Sequence, residues 1–94
     1  MAINQCVLYK DENFIGEPLL VFDNISDLKD YGFNDEASSL VIVEGRWNFY
    51  KDKDYQGQLG QGGGVTLGPG TYRSLTSALG NGANDAVSSV KIVS

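Results

Sequence analysis

Apolar and polar positions alternate along this chain in short bursts, and no burst is long enough for an ordinary helix. Cys6-Val7-Leu8-Tyr9-Lys10 reads as a first strand. Asp11-Glu12-Asn13 breaks it with turn chemistry, and Phe14-Ile15-Gly16 follows, with Gly16 expected at a positive φ. Leu19-Leu20-Val21-Phe22 reads as the next strand. In Asp23–Gly32 the apolar residues fall at 25, 28 and 31, which fits one or two helical turns capped by Ser26 and stopped by Gly32. A strand over 39–43 comes next, and Glu44-Gly45-Arg46 is a short connection.

The pattern then restarts. Trp47-Asn48-Phe49-Tyr50-Lys51 matches the first strand, and Tyr50–Gly57 lines up with Tyr9–Gly16 at an offset of 41. Asn34-Asp35-Glu36-Ala37-Ser38-Ser39 returns as Asn84-Asp85-Ala86-Val87-Ser88-Ser89 at an offset of 50, and each copy runs into a β-rich segment. Two matched signatures in matched settings indicate an internal duplication. The second copy carries nine extra residues between its signatures. Gly60-Gln61-Gly62-Gly63-Gly64 lies in that interval and reads as a lengthened, flexible hairpin tip. Val65-Thr66-Leu67 reads as a short strand before a Gly68-Pro69-Gly70 turn, and 74–80 holds another helical turn. Strands spaced by turns, with no long helix, make an all-β sandwich or barrel, about four strands per copy. One domain over 1–94 is expected, with Greek key 1 about 5–45 and Greek key 2 about 46–94.

Composition narrows the chemistry. A net charge of -5 and a pI near 4.4 disfavour nucleic acid and anionic membranes as partners and suit cations. No histidine is present, which removes the commonest general base and the commonest transition-metal ligand. The single cysteine, Cys6, cannot form an intramolecular disulfide; it sits in a strand without a basic neighbour and reads as a small buried hydrophobe. No nucleophile–base pair assembles without strained choices, so no enzyme is expected. The glycine run lacks the Lys-Ser/Thr and the helix of a phosphate loop. No apolar run reaches membrane-spanning length, and the expected location is cytoplasmic unless a leader has been removed. A monomer is expected.

The oxygen chemistry of the repeated loop stands out. Asp carboxylates, Ser hydroxyls and loop carbonyls are hard donors, the set calcium prefers, although Asn-Asp and Ser-Ser also simply cap turns. The signature Tyr-x-x-x-x-aromatic-x-Gly followed by Asn-Asp-x-x-Ser-Ser, twice over, resembles the βγ-crystallin superfamily, and its microbial calcium-binding members more than the lens proteins. The resemblance runs from about Cys6 to Val93. It implies a two-sheet β-sandwich of two Greek keys with pseudo-twofold symmetry. It further implies that Tyr9, Phe14 and Gly16, with Tyr50, Tyr55 and Gly57, shape folded first hairpins, and that Ser39 and Ser89 tie those hairpins down. Two calcium ions per chain are implied. Asp35 and Asp85 would give side-chain oxygens, Glu36 and Ala86 main-chain carbonyls, and Ser38 and Ser88 hydroxyls to the site organised by the other loop. Carbonyls near Glu12 and Lys53 would complete the set. The glycine-rich insertion departs from the compact pattern. The function so implied is calcium binding that stabilises the fold, in a stress or structural role. The rivals are a protease inhibitor on the same fold, without the disulfides of such inhibitors, and a calcium-dependent adhesion or coat module.

Overall fold

The computed structural model describes residues 3–33, 36–80, 82–83 and 86–93. The strands are β1 (Gln5–Tyr9), β2 (Leu19–Val21), β3 (Ser39–Glu44), β4 (Arg46–Asp52), β5 (Gln56–Gln58), β6 (Gly70–Tyr72) and β7 (Ser89–Val93). They form two antiparallel sheets, ordered β2-β1-β3-β6 and β5-β4-β7. The alternation decides which side each strand shows the core. Cys6, Leu8, Val21, Leu40 and Ile42 from one sheet meet Trp47, Phe49 and Val90 from the other. Trp47 and Phe49 are fully buried, and the Trp47 indole N–H donates to the Glu44 carbonyl at 3.1 Å. The Cys6 thiol is free and fully enclosed, and burial pushes its pKa up to about 12.

The two copies are not two separate layers. β6 belongs by sequence to the second copy, yet it pairs with β3 of the first, placing Leu40 opposite Tyr72. In return Ile25 of the first copy pairs with Val90 in β7, and each accepts the other's N–H at 3.0 Å. Each half lends its third segment to the other half's sheet. In the first copy that segment is a single bridge, which is why three strands rather than four form there. The chain crosses between sheets once more at Gly45, the one residue between β3 and β4. Its φ is +92°, and a Cβ there would sit 2.5 Å from the Asn4 Oδ1.

Several local expectations change. The turn after β2 is a 3-10 helix over Leu28–Tyr31, and its cap is Asp27, whose carboxylate accepts the Lys29 N–H at 3.0 Å; Ser26 lies one position too early. Gly32 does end it, at φ 70°. Val65–Leu67 is no strand; only Leu67 bridges, to Trp47. The ordered strands of that region are β5 and β6, and β6 starts at Gly70, inside the segment read as a turn. The glycine run is not a hairpin tip either. The β4–β5 hairpin turns before it, with Asp52 opposite Gln56. The run instead links β5 to β6, closed by the Val65 N–H on the Leu59 carbonyl at 3.1 Å. The helical turn expected over 74–80 is α1 (Leu75–Leu79), ended by Gly80.

The nine extra residues divide in two. Ile25 and Leu28 correspond to Tyr72 and Leu75, an offset of 47. Six extra residues therefore lie before β6, around the glycine run. The other three lie between Leu75 and Ala83, where the first copy needs only the short path from Leu28 to Phe33.

Candidate metal centre

Each first hairpin is folded hard onto its own sheet. Asn13 and Phe14 stand at φ 60° and 62°; Asp54 and Tyr55 stand at 57° and 60°. Two successive left-handed residues that carry side chains cost of order 1–2 kcal/mol each, so something must hold them. A buried serine does so in both copies. The Ser39 hydroxyl donates to the Asp11 carbonyl at 2.6 Å and accepts the Phe14 N–H at 3.0 Å. The Ser89 hydroxyl donates to the Asp52 carbonyl at 2.7 Å and accepts the Tyr55 N–H at 3.1 Å. The aromatic residues finish the fold: Tyr9 on Phe14 and Tyr50 on Tyr55 are edge-to-face pairs, each 5.8 Å apart at 72°. Gly16 and Gly57 are left-handed, at φ 98° and 72°, as the first hairpin's pattern predicts. The sequence reading missed the positive φ at residues 13, 14, 54 and 55. Asn13 and Asp54 carried the signal, because Asn and Asp tolerate that region best; nothing in Phe14 or Tyr55 did.

The repeated loops sit where these hairpins meet the other half. The Ser38 N–H donates to the Tyr9 carbonyl at 2.9 Å, and the Ser38 carbonyl accepts from Leu75 of the second copy at 3.0 Å. The Ser88 N–H donates to Tyr50 at 2.8 Å, and its carbonyl accepts from Leu28 of the first copy at 2.8 Å. The hairpins reach across as well, with Asn13 donating to the Arg73 carbonyl at 2.9 Å and Asp54 to the Ser26 carbonyl at 2.7 Å. Each loop is thus clamped between its own hairpin and a segment of the opposite copy.

Of the expected ligands, Glu12 lies in the first hairpin, where its carboxylate accepts from the Ser74 hydroxyl at 2.9 Å. Lys53 holds the matching place in the second hairpin. Glu36 is exposed, with its carboxylate 3.8 Å from the Lys10 Nζ; Ala86 is half-buried at the equivalent place. Ser38 and Ser88 are buried, at 4% and 6% exposure. Asp35 and Asp85 lie outside the described residues. Among the described residues no three His, Cys, Asp or Glu side chains gather into a metal-binding group. The oxygen groups brought near the hairpins are backbone carbonyls, the Ser39 and Ser89 hydroxyls and, in the first copy, the Glu12 carboxylate. That set suits a hard cation and offers nothing to a soft one.

The ring faces carry cations of their own. Lys10 Nζ lies 5.4 Å from the Phe33 ring and Lys91 Nζ 5.2 Å from the Tyr55 ring. Partial burial, with Asp23 and Asp54 nearby, raises the Tyr55 pKa.

The Beta/Gamma crystallin family model matches residues 5–93. A beta/gamma-crystallin of Ciona intestinalis is 34% identical over 89 residues, covering 95% of this chain and 98% of the relative. The crystal structure of a betagamma-crystallin from an archaeon superposes with a TM-score of 0.82 at 27% identity, covering 98% of this chain and all of that one. A transition-metal-ion-binding betagamma-crystallin from Methanosaeta thermophila gives 0.77 at 29% identity, covering 94% and 99%. With the duplicated hairpin, the exchanged third segments and this coverage together, the chain belongs to the beta/gamma-crystallin family.

Proposed function

We propose that this protein binds two calcium ions, one per repeated loop, and that the ions stabilise the fold without any catalysis. The observation that carries the reading is the doubled apparatus around the loops. The Ser38 and Ser88 loops stand at matched places in both copies, each held through its backbone to its own hairpin and to the opposite half, and beside each a serine hydroxyl, Ser39 or Ser89, ties the hairpin of its own copy. In the proposed sites Asp35 and Ser88 serve one ion, and Asp85 and Ser38 the other. Glu36 and Ala86 add main-chain carbonyls, as do the hairpins at Glu12 and Lys53. A structural neighbour described as binding transition-metal ions supports metal binding on this fold. Calcium is favoured for this chain because it has no histidine and its one thiol is buried and protonated. The protein's role is structural or stress-related, as a monomer.

Calorimetric titration of chelator-treated protein tests this. Two ions should bind per chain with Kd of about 10⁻⁶ to 10⁻⁴ M, weaker than a carboxylate-rich EF-hand loop. An ion that binds only the folded state adds about 2.7 kcal/mol per site at a hundredfold excess over Kd, so the melting temperature should rise with calcium and fall back with chelator. Asp35→Ala should abolish one site; adding Ser88→Ala should cost little more, whereas adding Ser38→Ala should weaken the remaining site. No heat and no change in melting at millimolar calcium would refute the proposal.

A further inference from the structure

The seam between the halves is built from contacts that do not depend on which chain supplies them. Ile25 pairs with Val90, Leu40 with Tyr72, Leu28 with Ser88 and Leu75 with Ser38. The sole covalent link along that seam is Gly45, between a strand of one sheet and a strand of the other. One residue makes the whole corner. Its φ of +92° is closed to most side chains, and Asn4 packs where a Cβ would go. Glycine takes that φ without strain, so what the one-residue hinge offers is that, once Gly45 is extended, the same seam contacts can form between two copies. We propose that a second copy of this chain is a partner for the same seam. Residues 1–44 of one molecule assemble with residues 46–94 of another, giving an interlocked dimer in which Gly45 is extended. Glycine keeps the closed form available, and the one-residue link favours it at low concentration. Exchange competes when chains approach the effective concentration of a short tether, on the order of millimolar.

This seam is distinct from the outer face of the four-stranded sheet, where Leu20, Phe22 and Val43 are each about half exposed. A dimer formed through that face would keep every seam contact within one chain. The test is to refold the full chain from denaturant at ~10 µM and at ~1 mM, separating the products by size exclusion with light scattering. The high-concentration sample should yield a dimer that persists on dilution in native buffer and returns to monomer only after unfolding and refolding at low concentration. Gly45→Val should raise the dimerisation constant by about a hundredfold, about tenfold for each of the two hinges that the dimer extends, from left-handed strain on a side-chain-bearing residue. In a dimer refolded from mixed ¹⁵N,¹³C-labelled and unlabelled chains, isotope-filtered NOEs between Ile25 and Val90 should be intermolecular. Monomer alone at ~1 mM in the wild-type chain overturns the proposal. So does a dimer whose Ile25–Val90 NOEs stay within one chain and which Leu20→Ser dissolves.

Discussion

The two copies agree to a tenth of an ångström in one place and share almost nothing in another. Their folded hairpins have the same serine clasp, the same left-handed pair and the same ring geometry, 5.8 Å and 72°. Their outer surfaces diverge. Val7 and Val41 face each other across the outside of the first sheet, and the matching positions of the second are Asn48 and Lys91. Residues 1–45 carry nine acidic and two basic side chains; residues 46–94 carry three and five. Beneath the hairpins the core also differs, with Trp47 standing where the first copy has Cys6, and Ala83 where it has Phe33. What stays fixed is the hydrogen-bonded geometry at the hairpins, loops and seam. Volume can be traded between copies so long as the shared core stays filled, and surface charge can drift.

The largest expected asymmetry is in that traded volume. Trp47→Ala should cost about 4 kcal/mol in denaturant unfolding, and Cys6→Ala about 1 kcal/mol, since the first leaves a large cavity and the second a small one. Comparable losses would mean that the core is not shared between the sheets. The clasps should behave in the opposite way. Ser39→Ala and Ser89→Ala each strand a backbone N–H and a carbonyl, and each should cost about 2–3 kcal/mol. A twofold difference between them, measured in the same urea series, would break the equivalence of the two hairpins.

That equivalence was legible in the sequence, and the seam was not. Tyr9 and Gly16 recur at one offset and Ser39 at another, so the duplication could be read from spacing, and the family resemblance implied that the serines tie the hairpins down. The exchange of third segments could not, because Ile25 and Tyr72 pair with residues many positions away and no local propensity encodes the partner. β5, Gln56-Gly57-Gln58, was hidden by glycine and glutamine, which carry no strand preference, and β6 by the Gly68-Pro69-Gly70 turn signal at its start. Pairing with neighbours imposes strand geometry there. The carboxylates of Asp35 and Asp85, which the resemblance to the family implies as ligands, lie outside the described residues.

A smaller effect separates the copies at alkaline pH. Among the described residues the fully enclosed titratable group is the Cys6 thiol, in the first copy. Burial raises the folded Cys6 pKa from 9.0 to about 12, so the unfolded chain releases the proton first. The stabilisation is complete below pH 9 and is lost as pH rises towards 12, with a slope of up to about 1.4 kcal/mol per pH unit. Subtracting the pH profile of Cys6→Ala isolates it; parallel profiles would mean that the thiol stays protonated in neither state or in both. The smallest effect belongs to the insertion. A Cβ on Gly62 meets nothing, and asparagine accepts its φ of 72°, so Gly62→Asn should change stability by less than about 0.5 kcal/mol. A Cβ on Gly60 would run into the Val65 backbone, and Gly60→Ala should be visibly destabilising in the same melts.

The exchanged segments also set an order of events during synthesis. The Leu28–Ser88 and Ile25–Val90 bonds join residues 60 and 65 positions apart. When residues 1–45 emerge, β1, β2 and β3 can pair among themselves, yet the segment around Ile25 has no strand to meet and β3 has an open edge. At about 5–20 residues per second the rest of the chain takes a few seconds to follow. For that interval the nascent half carries unpaired edge and uncovered core, and the final closure waits for the last strand of the chain.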